Sequence, residues 1–157
     1  MMIRRGLALL LAMTASLATA ADRPVPYWAS IAAGDALMRT GPGREYPAVW
    51  RYRREGLPVR VVQVHESWRR VVDLDGTSGW MASVLLSAER TAIVVGEERP
   101  MRAAPDRASR LLWRAAPGVV GYIRHCEKGW CEFDVNGKAG FVETTGLWGV
   151  ETGEVVE

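Results

Sequence analysis

One ordered pattern occurs twice in this chain, and it limits the fold more than any other feature. Residues 56–86 read GLPVRVVQVHESWRRVVDLDGTSGWMASVLL, and residues 118–147 read GVVGYIRHCEKGWCEFDVNGKAGFVETTGL. Upstream of these, Met38-Arg39 is answered by Met101-Arg102 and Pro42 by Pro105, each sixty-three residues later. Gly56 and Trp68 are answered by Gly118 and Trp130 at sixty-two, and Gly76 by Gly137 at sixty-one. A drift of one residue at two loops is what insertions or deletions in surface turns produce. A 157-residue chain can hold one ordinary domain or two small ones, and the repeat selects two.

Within each copy apolar and polar residues alternate with the period of two that marks a half-buried strand. In the first copy, Ala36 to Arg39 reads as a strand and Thr40-Gly41-Pro42-Gly43 as a loop, because three breakers would interrupt any helix there. Val49 to Arg53 is a second strand, and Leu57 to Val64 a third whose Leu57, Val59, Val61 and Gln63 share one face. Trp68 to Val72 returns, Asp75-Gly76 supplies a hairpin turn signal, Ser78 to Met81 closes, and Ala82 to Leu86 fits one tight turn. Thr91 to Val95 is β-branched and adds a strand between the copies. Residues 21–33 carry two prolines and no sustained period, so they read as an extended lead-in that packs Tyr27 and Trp28 on the first domain. The expected divisions are a lead-in at 21–33, barrels at 34–90 and 91–150, and an acidic C-terminal tail at 151–157.

The first twenty residues, MMIRRGLALLLAMTASLATA, place two arginines before an apolar run and end in Ala18-Thr19-Ala20. That is the form of a cleavable secretory signal peptide, with cleavage expected after Ala20. The run is shorter than the roughly 20 residues that span a bilayer, so no stable membrane insertion is expected, and the protein is read as periplasmic or secreted. The whole chain carries a net charge of +2, and loss of Arg4 and Arg5 brings it close to neutral. Residues 36–87 and 99–150 each hold eight basic residues against five acidic ones, while Glu97, Glu98, Glu151, Glu154 and Glu157 offset them in the linker and tail. Without a basic run, nucleic acid is excluded as a partner. Nearly all the cations are arginine, suited to planar, bidentate contacts.

Cys126 and Cys131 are the only cysteines. An even count in a secreted chain signals a disulfide, and a hairpin across the four intervening residues brings the two onto facing strands. The rival reading, a metal site begun by His125, lacks further ligands at suitable spacing apart from the distant His65, and no cofactor is expected.

The turns and short strands point to small β-barrels, and the residues that mark them resemble the bacterial SH3-like family. Its pattern has an Arg-x-Gly-Pro loop, a Gly opening the middle strand, a Trp beginning the next and a Gly-Trp before a closing turn. The first copy presents Arg39-Thr40-Gly41-Pro42, Gly56, Trp68 and Gly79-Trp80; the second has Ala104 in place of Gly41 and Phe141 in place of Trp80. The resemblance implies an all-β chain of two tandem SH3-like barrels, each of five or six strands and partly open. It also implies a non-catalytic module, often associated with the cell wall or its peptides.

The aromatics of the first copy define the candidate site. Arg39, Tyr46, Trp50, Tyr52, Trp68 and Arg69 are read as a shallow groove receiving a peptide or sugar-peptide carboxylate, with cell-wall peptide or an envelope protein as partner. Trp80, on the short closing strand, is assigned to the core, while Trp68 suits core and groove equally. Trp148 is expected to pack across the domain junction. Asp73 and Asp75 belong to a turn, and neither Ser67 nor Ser83 lies in a nucleophile motif, so no enzyme activity is expected. The alternative function is a structural protein that assembles with a periplasmic complex.

Overall fold

The computed structural model describes residues 23–157; the signal peptide read at residues 1–20 lies outside them. The chain folds into two antiparallel sheets of seven strands each, one per repeat. The first contains β1 (Tyr27–Ile31), β2 (Ala36–Arg39), β3 (Ala48–Tyr52), β4 (Pro58–His65), β5 (Trp68–Val72), β6 (Ser78–Ala82) and β7 (Leu86–Ser87), in the order β3-β2-β6-β5-β4-β1-β7. The second contains β8 (Thr91–Val94), β9 (Arg99–Arg102), β10 (Leu111–Ala115), β11 (Val120–Glu127), β12 (Trp130–Val135), β13 (Lys138–Glu143) and β14 (Leu147–Trp148), in the matching order β10-β9-β13-β12-β11-β8-β14. Single 3₁₀ turns, Ser83–Leu85 and Thr144–Gly146, lead into the two closing strands. Each barrel therefore has two more strands than the lower expectation, because short flanking strands complete it.

Alternation builds each core. In β2, Ala36 and Met38 are buried while Leu37 and Arg39 face outward, and Val71 and Met81 join them from β5 and β6. The second core is filled in the same way by Met101, Phe133 and Val142, with the disulfide among them. Gly79 sits where β6 crosses β2: a Cβ there would lie 2.5 Å from Met38 Cγ and 2.7 Å from the Arg39 carbonyl oxygen. Only glycine lets the strands approach so closely.

Two expectations are corrected here. Tyr27–Ile31, read as part of a lead-in, is β1, paired with β4 from Tyr27↔Val61 to Ser30↔Pro58 and with β7 at Ile31↔Leu86. It is the counterpart of β8, and its prolines obscured it because they lie just ahead of it. In β4 a bulge between Val61 and Gln63 shifts the alternation, so Gln63 is exposed instead of sharing the face of Val59 and Val61. The 151–157 tail is tied to the second barrel, where Val156 forms a two-way backbone bridge with Cys126.

The barrels meet through the residues around Trp28 and Trp148, whose rings stand edge to face, 4.7 Å apart at 83°. Arg60 lies 5.8 Å from the Trp28 ring centre and pairs with Glu151 at 3.2 Å. Arg54 reaches across to donate to the Gly118 carbonyl at 2.9 Å. The junction expected of Trp148 is thus observed, with Trp28 from β1 as its partner.

Candidate functional site

The outer face of the first barrel holds a shallow pocket of about 340 Å³ where β2, β3, β5, the end of β6 and the 3₁₀ turn converge. Leu37 and Arg39 reach it from β2, Arg51 from β3, Trp68 from β5, and Arg44 from the Gly-Pro loop. These side chains share the face because they occupy the outward positions of strands whose alternate residues fill the core. Ala82, opposite Trp68 in the β5–β6 register, leaves the floor open.

Charge in the pocket is unevenly committed. Arg51 donates to both carboxylate oxygens of Asp35, at 2.7 and 2.5 Å. These hydrogen bonds hold the Asp35 carboxyl below the ordinary carboxylate range and raise the guanidinium's affinity for its proton. Arg39 donates to the Tyr46 carbonyl at 2.7 Å, tying the loop to β2. Arg44 makes no hydrogen bond or ion pair among the described residues.

The second barrel shows how the same arrangement is closed. Arg102 donates to Ser109 as Arg39 does to Tyr46, and Arg114 pairs with Glu98 as Arg51 does with Asp35. Arg107 stands where Arg44 does, but Glu143 replaces Ala82 and accepts from its Nε and Nη2 at 2.9 and 2.7 Å. Hydrogen bonding and the charge of Glu143 raise the Arg107 pKa. One cation per pocket is therefore neutralised from within in the second barrel and left available in the first.

Of the residues expected at the site, Arg39 and Trp68 line the pocket, and Trp68 is half-buried there. Tyr46 is 40% exposed, with its ring laid over Gly41 at the loop's edge. Trp50 is 54% exposed on the edge strand β3, opposite Met38, outside the pocket lining. Tyr52 is corrected to the core: it is buried, and its hydroxyl donates to Asp73 Oδ2 at 2.6 Å. Burial, then the Asp73 carboxylate, push its pKa well up. Arg69 occupies an inward position of β5 and donates to the carbonyls of Glu66 and Trp68 at 2.7 and 3.0 Å, so it is set apart from the groove.

Trp80 reverses its expectation. It faces outward opposite Arg39 and Arg70, half-buried, with His65 edge-on at 6.2 Å. Counting the alternation back from Met81 would have found it, since a residue beside a core methionine in a strand points the other way. Arg44 and Ala82 had no signal in one copy alone; comparing Ala82 with Glu143 across the repeat supplies it.

The sequence matches the description "Bacterial SH3 domain" over residues 32–88 and again over 95–149. The chain belongs to the bacterial SH3 domain family. Two SH3 copies thus account for both barrels, although the first match begins just past β1. A sequence search among curated proteins finds no match. Two solved structures from Trichomonas vaginalis, NlpC2 and NlpC1, resemble this SH3 pair at 12% and 14% identity, each with a TM-score of 0.36. The matches cover 78% and 90% of this chain but 48% and 50% of those chains, so it spans about half their length. Superpositions this loose place no site.

Proposed function

We propose that this is an exported, non-catalytic binding module whose first SH3 barrel receives an anionic peptide of the cell wall in the Arg39–Arg44–Trp68 pocket. The observation that carries this reading is the free Arg44 over Ala82, set against the Arg107–Glu143 pair that fills the equivalent place. A carboxylate entering the first pocket gains an arginine that has no internal rival, and Trp68 offers a flat face for the chain behind it. Export is supported by the signal-like leader and by the bonded Cys126–Cys131 pair, which belongs to an oxidising compartment. The mature protein should pull down with isolated peptidoglycan, and soluble stem-peptide fragments should bind it in calorimetry. Arg44→Ala and Trp68→Ala should each weaken that binding tenfold or more, while Arg107→Ala leaves it unchanged. Failure of the wild-type protein to bind either preparation would remove the cell-wall reading.

A second reading, a structural protein of an envelope complex, draws on β3. Four of its five residues are exposed, including Val49 and Trp50, and it is the outer strand of its sheet. Exposed edges of this kind are pairing surfaces. Crosslinking in cells followed by mass spectrometry separates the two, since only this reading gives one dominant protein partner lost on Trp50→Lys.

A further inference from the structure

On the second barrel, the segment at 155–157 lies against the edge of β11, held by one isolated antiparallel bridge. Cys126 N–H donates to the Val156 carbonyl and Val156 N–H donates to the Cys126 carbonyl, each at 3.0 Å. The segment forms one wall of a groove of about 660 Å³ whose other walls include Pro105, Trp130, Phe141 and Glu132. One bridge of this kind is the smallest form of strand addition, in which backbone bonds hold an extended segment to a sheet edge.

The first barrel repeats the hairpin without the bridging segment, but its bulge lies between Val61 and Gln63, whereas that of β11 lies between Arg124 and Glu127 with His125 at φ +46°. His65↔Trp68 and Glu127↔Trp130 are the closing pairs of equivalent two-residue hairpins, so Val64 stands where Cys126 does. Such a closing pair exchanges hydrogen bonds, and the residue before it turns its N–H and C=O to the opposite edge. β1 pairs with β4 only as far as Val61, and among the described residues nothing bridges Val64. Pro42, Trp68 and Trp80 take the places of Pro105, Trp130 and Phe141. The charges differ: Gln63, His65 and Arg70 replace His125, Glu127 and Glu132. An acidic strand that the second barrel tolerates beside two glutamates meets a cation in the first.

We propose that the free edge of β4 at Val64, flanked by Trp68, Trp80 and Arg70, binds an extended peptide strand of alternating acidic and β-branched residues from a partner protein. The inference rests on the first barrel being a peptide binder, but it uses the edge of β4 and shares only Trp68 with the Arg44 pocket. The test titrates the synthetic peptide ETGEVVE, the sequence of residues 151–157, into the ¹⁵N-labelled full-length exported protein, alongside soluble stem-peptide fragments in a parallel sample. Expected are shifts of the amides from Gln63 to Trp68 and of the Trp68 and Trp80 indoles. Arg70→Glu should weaken binding at least tenfold, Arg70→Lys should largely restore it, and a peptide with proline in place of its second valine should not bind. Absent shifts, or shifts indifferent to Arg70→Glu, overturn the proposal. If fragments still bind in that case, the pocket reading stands and only the strand site falls; if neither binds, both fall. Self-association of the wild type that Val156→Pro abolishes would overturn the partner assignment in favour of a second copy.

Discussion

The Ala82→Glu substitution turns the first pocket into a copy of the second, and the structure sets its size. In the second barrel Glu143 Oε1 takes two hydrogen bonds from Arg107, at 2.9 and 2.7 Å. The introduced carboxylate would stand at the same register position, opposite Trp68, with Arg44 in place of Arg107. A ligand carboxylate would then compete with an internal one for the only uncommitted guanidinium of the pocket. Displacing that pair costs the ligand about 1 kcal/mol, the upper value for an exposed pair, so affinity for an anionic stem peptide should fall about fivefold. Stability should barely change, because the new pair is exposed, and exposed pairs contribute about 0–1 kcal/mol. Calorimetric titration of the wild type, Ala82→Glu and Ala82→Gln, with denaturant unfolding of each, measures both quantities. Equal losses in Ala82→Glu and Ala82→Gln would mean that bulk closes the pocket, and would refute the argument from charge. An unchanged affinity in Ala82→Glu would remove Arg44 from the site.

Three further outcomes follow from the packing. Tyr52→Phe removes a buried O–H donor to Asp73, whose other oxygen still accepts from the N–H groups of Asp75 and Thr77; urea unfolding should show a loss of about 1.5 kcal/mol, and no loss would mean that the bond is solvent-replaceable. Cys126→Ala combined with Cys131→Ala should cost about 2 kcal/mol, the value for a loop this short, and near-ultraviolet spectra should place the loss in the second barrel. Glu154 is pulled up by burial, but the Arg90 hydrogen bonds, the Glu151 N–H and the Arg90 charge outweigh this and hold its pKa below the ordinary value. Its contribution is therefore complete above the unfolded carboxyl pKa and is lost as pH falls through the lower folded value. Amide exchange in residues 149–157 should accelerate in acid, more steeply than in Arg90→Gln; equal pH profiles would refute the link.

Much of the fold was legible because the signals that carry it are local. Period-two alternation located β2, β5 and β6 almost to the residue, and glycines at the hairpin corners marked the turns: Gly56 and Gly118 take φ of +79° and +82°, which L side chains seldom adopt. The duplication then supported each element by its twin, as β9 and β12 answer β2 and β5. What escaped the sequence was the pairing of segments far apart in it. β1 carries no period of its own and is a strand because β4 and β7 flank it. The bulge that turns Gln63 outward has no composition cue, since it depends on how β4 must curve to meet β5.

The candidate site divides along the same line. Residue types alone marked out arginines and aromatics of the first copy, but four of the six chosen lie outside the pocket lining, among them Tyr52 in the core and Arg69 on the inward side of β5. Side-chain direction in a strand follows from register, and register is set by partners. Local pattern and composition were enough for two small all-β units, a cysteine pair and a surplus of arginine over carboxylates in each copy. Only the tertiary structure decided which arginine stays free, because whether Arg44 or Arg107 meets a carboxylate depends on the residue that β6 or β13 places across the pocket, nearly forty positions away.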